Sequence, residues 1–279
     1  MRWKRFFSVP STEQSPQSEG NLPGILDDYV RTKPSAQNAV DIFSGEWTSR
    51  FTDEVGLVAG HVPLFDDPRI TWVIEQMGSV TGRRVLELGP LEGGHTAMLD
   101  HAGASVLAIE SNARAFLKCL IAKEVLNLQK SKFELGDFAP YLDETSDKFD
   151  LVVASGVLYH SPDPLGLLGS LGRVADRVAI WTHYFDPEIT AARESLRRVF
   201  TDEPVVVDWN GTTRTLHRRH YLEALAWGGF CGGPETSALW LERDELLDTL
   251  QRVGFTDIKI ESENRENQNG ACIMLLASK

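Results

Sequence analysis

The stretch Val85-Leu-Glu-Leu-Gly-Pro-Leu-Glu-Gly-Gly-His95 decides the fold. It reads as a buried strand, a glycine-bearing turn and the start of a helix. Glu87 sits just before the turn, and glycines hold positions 89, 93 and 94. A second apolar strand, Val106-Leu-Ala-Ile-Glu110, follows and ends in a carboxylate. Strand, glycine turn, helix, strand and terminal acid form the first half of a nucleoside-binding α/β fold, in which the acid hydrogen-bonds a ribose.

The turn also discriminates between nucleosides. A dinucleotide site wants G-x-G-x-x-G, whose second glycine lets backbone close on a pyrophosphate. Here the residue two after Gly89 is Leu91, and no Gly-Lys-Ser/Thr ending follows. A ligand with a ribose and no phosphate fits better, and S-adenosylmethionine is the obvious one. Its methionine amine would be attracted by a carboxylate such as Glu87.

Two further segments extend the pattern. Phe133-Glu-Leu-Gly-Asp137-Phe138 reads as the third strand and its end. Lys148-Phe-Asp-Leu-Val-Val-Ala-Ser-Gly-Val-Leu-Tyr-His-Ser-Pro-Asp-Pro164 reads as the fourth strand and its loop. From about Arg84 to the C-terminus the chain resembles the class I S-adenosylmethionine-dependent methyltransferases. The resemblance implies that Glu87, Gly89 and Gly93 wrap the methionine moiety. It implies that Glu110 takes the ribose hydroxyls and that Asp137 with Phe138 borders the adenine. The loop Ser155 to His160 would lie under the sulfonium. Leu91 departs from the family, whose usual second glycine would stand there.

Strands and helices alternate along the rest of the chain. Asp67-Pro68 opens a helix, with Asp67 as cap, Pro68 at the first helical position and Ile70, Val73, Ile74 and Met77 as its apolar stripe. Gly78 is its stop. A helix from Ala113 to about Leu128 is expected to turn Phe116, Leu117, Leu120 and Leu128 inward. Asp163-Pro164 starts another, Arg177 to His183 is a fifth strand, and Glu242 to Val253 is a helix stopped by Gly254. Thr256 to Glu261 and Ala271 to Ala277 are the last two strands, joined without a helix and so antiparallel. The expected fold is α/β: a mostly parallel, seven-stranded, doubly wound sheet with an antiparallel last strand.

An insertion, 184–239, follows strand five. It holds a helix near Pro187 to Phe200, a hairpin turning at Asn210-Gly211, and the run Trp227-Gly-Gly-Phe-Cys-Gly-Gly-Pro234. It leaves the sheet at the carboxyl edge, where ligands bind in open α/β sheets. It is therefore expected to be the substrate lid. Residues 1–40, rich in Ser, Pro and Gln, read as a largely disordered tail before a methyltransferase domain over 41–279.

Composition suits a globular enzyme, at 42% hydrophobic and 24% charged residues. No apolar run is long enough to span a bilayer. The start, Met1-Arg-Trp-Lys-Arg-Phe-Phe7, lacks the apolar region of a secretory signal. Cys119, Cys231 and Cys272 have no paired or metal-ligand spacing, and a reducing cytoplasm is the expected location. The net charge of −12 argues against a nucleic-acid partner. The one basic knot, Arg214-Thr-Leu-His-Arg-Arg-His220, reads either as a salt-bridged surface strand or as an anion patch near the substrate.

Methyl transfer asks the protein to align an acceptor and exclude water. An oxygen acceptor also needs a base. Tyr159, His160, His183 and Tyr184 fall at strand ends near the expected sulfonium, and His160 is the leading candidate, then His183, with Tyr159 beside them. The alternative role for His160 is structural: hydrogen-bonding the backbone of its loop or orienting the cofactor. His95 and His101 are expected to be structural. There is no Asn/Asp-Pro-Pro-Tyr/Phe run, the mark of amino-group methylation. Carboxylates of the cation-dependent catechol enzymes are missing after strands four and five, so no metal is expected. The leading reading is a methyltransferase acting on a small-molecule acceptor, on oxygen. A second is a tRNA wobble-uridine modifying enzyme, because Gly156 to Pro164 resembles the corresponding loop of those proteins. A third is a non-catalytic S-adenosylmethionine-binding protein. The oligomeric state is open.

Overall fold

The computed structural model describes residues 29–226 and 229–279. The tail expected over 1–40 lies outside the described residues up to position 28, as do Trp227 and Gly228 of the glycine run. The chain divides into two units, Met1–Pro34 and Ser35–Lys279. The described residues of the first carry no helix or strand. The second begins ahead of the expected boundary at 41, because Ser35 accepts from the Asn38 N–H and starts a short helix with Val40 buried.

That helix is α1 (Ala36–Val40), followed by α2 (Pro68–Met77), β1 (Arg84–Leu88), α3 (Gly94–His101), β2 (Ser105–Glu110), α4 (Ala113–Val125) and β3 (Ser131–Leu135). Then come α5 (Phe138–Glu144), β4 (Leu151–Ser155), α6 (Pro164–Val174) and β5 (Arg177–His183). The insertion supplies α7 (Pro187–Ala192), α8 (Glu194–Arg197), β6 (Val205–Trp209), β7 (Thr212–His220) and β8 (Ser237–Leu241). The chain closes with α9 (Arg243–Arg252), β9 (Asp257–Asn264) and β10 (Cys272–Ser278).

Seven strands form the main sheet in the order β3-β2-β1-β4-β5-β10-β9. The first five are parallel, and β10 runs antiparallel to both β5 and β9. Successive residues of each strand serve opposite faces. Leu86, Leu88, Val152, Ala154, Val178 and Ile180 join the core under α6 and α9. Val85, Val106, Leu151, Val153 and Ala179 join the core under α2 and α3. Burial on both faces is why these strands read as continuous apolar runs.

The segment before α2 seals one flank. Phe51 stacks on Phe65 with centroids 4.5 Å apart, and Trp47 lies 5.6 Å from Phe51. These rings share a core cluster with Cys119 and Ala122 of α4 and Phe133 of β3. Glu92, fully buried in the glycine turn, ties the segment down. It accepts from the Ser49 N–H at 2.6 Å, from the Thr48 N–H, and from Lys118 Nζ at 2.8 Å. Gly94 lies so close to this segment that a Cβ there would meet the Leu64 carbonyl oxygen at 2.5 Å.

Two expected details differ. Helix α4 turns Ala115, Lys118, Cys119 and Ala122 inward, while Leu117 and Leu120 are exposed. The buried Glu92 needs a cation, and seating Lys118 inward rotates the stripe. The helix expected from Pro187 to Phe200 breaks at Arg193, whose backbone is extended. There its guanidinium donates to the Asn267 carbonyl and pairs with Glu266.

The insertion is a docked side sheet. Asn210 and Gly211 both take positive φ, 52° and 72°, which matches the tight primed turn that Asn-Gly favours. β7 then pairs with β8, and Leu216 and Leu241 enter the main core. Both ends of the insertion meet where Phe185 and Glu242 form a bridge. The basic knot is largely neutralised. Arg214 is buried between Glu245 and Asp248, His217 pairs with Glu242, and Arg218 and His220 pair with Asp202. The salt-bridged reading of the knot describes these residues; Arg219 is the exception.

Candidate active site

The strand order reverses direction between β1 and β4, and a cavity of about 1000 Å³ opens at their carboxyl ends. That volume is at the upper end of the roughly 300–1,000 Å³ of small-molecule sites, room for two ligands side by side. Gly89 begins one wall. Its φ is +61°, and a Cβ there would meet Val157 Cγ1 at 2.8 Å. Leu91, where a glycine is usual, takes φ +57° nonetheless, at a cost of about 1 kcal/mol. In this conformation its N–H reaches Glu110 Oε2 at 3.0 Å. The turn therefore keeps its path despite the side chain.

Glu110 ends β2 on the cavity wall. Oε1 accepts from the Asn112 N–H at 2.8 Å, so both carboxylate oxygens are held by backbone donors. Burial pushes its pKa up, opposed by these donors. Asp137 is on the same wall and caps α5 through the Ala139 N–H at 2.9 Å, with the Phe138 ring beside it. A ribose diol fits Glu110, and a flat apolar base fits the Phe138 side. Glu110→Ala is expected to weaken S-adenosylhomocysteine binding by roughly 10- to 100-fold, since charge-assisted hydrogen bonds contribute about 1.5–3 kcal/mol. Calorimetry showing unchanged affinity would remove the assignment.

Glu87 and Gly93, expected around the methionine moiety, lie behind the wall. Glu87 is fully buried, accepts from the Thr96 hydroxyl, and has its pKa raised by burial. Gly93 takes φ +80° at the start of α3 and packs against Phe133. In their place Arg69 and His95 line the cavity. Asp67 ties the two together, accepting from Arg69 Nε at 2.9 Å and lying 2.9 Å from His95 Nε2. Burial would raise the Asp67 carboxyl, yet His95 and Arg69 hold it well below the usual carboxylate range. His95 Nδ1 stands 3.7 Å from Glu87, and the Glu87 carboxylate also raises the pKa of Glu110 on the wall.

The wall at the end of β4 is built from Ser155, Gly156, Val157 and the turn Leu158–His160. Tyr159 and His160 are both on the wall. His160 Nδ1 lies 2.8 Å from the Tyr221 hydroxyl. Of the described insertion, Phe230 to Glu235 alone lines the cavity, and it lies against His160: a Cβ on Gly232 would meet Nδ1 at 2.7 Å. Burial pushes His160 down to about 3, helped by the charge of Arg219. Burial holds the Tyr159 phenol well above its ordinary value. His183 is placed differently. It is stacked on Trp240 at 5.3 Å, with Nδ1 2.9 Å from the Gly270 carbonyl, and does not line the cavity. Tyr184 bonds Glu263, likewise off the wall.

Arg69, His95 and Tyr221 were not legible as site residues. Arg69 follows the helix-opening Asp67-Pro68 and looks like any first-turn residue, and Tyr221 is 61 residues from the histidine it touches. Among the described residues no group of three or more His, Cys, Asp or Glu side chains is placed to hold a metal ion. None of their helices is long and apolar enough to cross a membrane.

An open α/β sheet in this strand order, with a ribose-type acid after β2, defines a class I S-adenosylmethionine-dependent methyltransferase. Residues 69–260 match the methyltransferase-domain family, and the chain belongs to it. Its fold is similar to the N-terminal domain of EvdMO1, crystallised with SAH and D-fucose: TM-score 0.64, 21% identity, covering 87% of this chain and 94% of that one. It is also similar to magnesium protoporphyrin IX methyltransferase (ChlM) from Synechocystis PCC 6803 with bound SAH, at TM-score 0.51 and 17% identity, over 76% of this chain and 81% of that one. A third similarity is to 1,6-didemethyltoxoflavin-N1-methyltransferase of Burkholderia thailandensis, at TM-score 0.50 and 15% identity, over 78% of each chain. No curated protein matches the sequence.

Proposed function

We propose that the protein transfers the methyl group of S-adenosylmethionine to an oxygen of a small-molecule acceptor. One observation carries this reading. A single cavity is lined by Gly89, Glu110, Asp137 and Phe138 at the ends of β1 to β3, and by Ser155 to Val157, Tyr159 and His160 at the end of β4. The first group suits the nucleoside, and the second suits the acceptor. The cofactor supplies an activated methyl on a sulfonium. The chain then has to orient the acceptor oxygen in line and take its proton. His160 is neutral above its depressed pKa. With Nδ1–H donating to Tyr221, Nε2 keeps its lone pair for that proton. Tyr159, held protonated, donates a hydrogen bond. The segment Phe230 to Glu235 is the covering element, and the docked sheet behind it is its support. The D-fucose of the EvdMO1 domain and the 1,6-didemethyltoxoflavin of the N1-methyltransferase are both small molecules, in keeping with a small-molecule acceptor. The pairing of the basic knot with carboxylates favours this reading over a tRNA substrate.

Titration with S-adenosylhomocysteine and with NAD tests the cofactor: tighter binding of NAD would overturn the reading. Methyl transfer from labelled S-adenosylmethionine to a panel of hydroxylated small molecules tests the reaction. Turnover is expected to be unchanged after exhaustive EDTA treatment. A rate lost to chelation and restored by Mg²⁺ would mean that a carboxylate cluster takes part.

A further inference from the structure

We propose that Arg219 is an acceptor-binding residue and that the acceptor carries an anionic oxygen group. The proposal rests on the methyltransferase reading above. Four neighbours of Arg219 in the basic knot, Arg214, His217, Arg218 and His220, each have a carboxylate within ion-pair distance. Arg219 has none among the described residues, in a chain with 40 acidic and 28 basic residues. Its Nε is sealed from solvent and has no hydrogen-bond partner. A guanidinium left this way costs free energy unless something supplies the missing acceptor.

Its surroundings show what that is for. The Arg219 Cζ stands 5.4 Å from the Trp240 ring and 5.5 Å from the Tyr221 ring, an aromatic cage that holds a cation without neutralising it. Tyr221 bonds His160 on the cavity wall, and Phe230, also on the wall, lies 4.9 Å from Tyr221. The charge of Arg219 acts on Tyr159, His160 and His183. Arg219 does not itself line the cavity; it stands on the insertion against Tyr221, beside the wall residues Tyr159 and His160 that feel its charge. A guanidinium presents a planar fork of donors that matches the oxygens of a carboxylate or a phosphate. The anion would dock there and set the neighbouring hydroxyl against His160.

The test uses the full chain saturated with S-adenosylhomocysteine. Calorimetry compares benzoate with benzamide, 4-hydroxybenzoate with 4-hydroxybenzamide, and phenyl phosphate with phenol. At least one acid is expected to bind about 10- to 100-fold tighter than its neutral twin, the range of charge-assisted hydrogen bonds. Preference for the benzoates assigns a carboxylate; preference for phenyl phosphate alone assigns a phosphate. Arg219→Met should abolish the preference and Arg219→Lys keep part of it, with S-adenosylhomocysteine affinity unchanged in both. Equal binding of every acid and its twin in the wild type would overturn the proposal, and so would a preference surviving in Arg219→Met. If Arg219→Met fails to fold, the wild-type comparison and Arg219→Lys still decide. Failure of S-adenosylhomocysteine to bind the wild type would instead sink the methyltransferase reading itself.

Discussion

His160→Ala is expected to lower turnover by about 10²- to 10⁴-fold, the usual range for loss of a general base, while S-adenosylhomocysteine affinity changes little. The groups expected to hold the cofactor, Glu110 and Asp137, follow β2 and β3, whereas Tyr159 and His160 follow β4 on the other side of β1. The pH profile sharpens the test. A histidine of ordinary pKa, 6.5, would make the rate rise between pH 6 and 7. Burial lowers His160 to about 3, which disfavours the charged form, so the base is already neutral throughout that interval. The rate should therefore be level from pH 6 to 8 as far as His160 is concerned, and should fall only as pH approaches the depressed pKa. A rise centred near 6.5, or full turnover in a folded His160→Ala variant, would move the base elsewhere. Tyr221→Phe separates orientation from chemistry. It leaves His160 in place but removes the group that fixes its tautomer, so turnover should fall with the histidine still neutral.

The largest stability effect is expected at Glu92. Its carboxylate is 1% exposed and bonds two backbone N–H groups and the ammonium of Lys118, itself nearly buried. Glu92→Ala strands that ammonium and both N–H groups. Breaking a buried pair by removing one partner costs about 3–5 kcal/mol. At roughly 2–4 °C per kcal/mol for a domain of this size, the Tm should fall by roughly 6–20 °C. Scanning calorimetry reads this directly, and a fall under about 3 °C would show that water reaches the site and replaces the lost partner. Adding Lys118→Met to Glu92→Gln should recover part of the loss, because the pair is then replaced by neutral groups.

How much of this was legible in the sequence follows from the range of each interaction. Strands β1, β2, β4 and β5 are largely apolar on both faces, and their pattern needs no knowledge of neighbours. The caps at Asp67 and Asp163 act within three residues, and so does the turn at Asn210-Gly211. That Gly89, Glu110 and Asp137 line one cavity was legible for the same reason: each lies at or just past a strand end, and strand ends converge in this topology. Long-range pairing was not. Lys118 on the inward face of α4 makes sense only once Glu92, 26 residues earlier, is seen to be buried. Glu87 occupies the expected strand position but is turned to Thr96, because His95 and Arg69 fill the space it was expected to border. His183 is one strand from the cavity, yet the Trp240 ring brought by the insertion covers it.

The bridge between Phe185 and Glu242 brings the two ends of the insertion side by side. A segment attached at two adjacent points behaves as a cassette. It can be lengthened, shortened or exchanged without changing the spacing between β5 and α9. The groups expected to hold the nucleoside come from β1 to β4, while Arg219, Tyr221 and Phe230 come from the cassette. On the proposed assignment of Arg219, much of acceptor choice is written on a different length of chain from the groups expected to hold the cofactor. A graft that redirects this scaffold to a new substrate would be cut at these two residues. It would have to bring an apolar face of its own to replace Leu216 and Leu241 in the shared core.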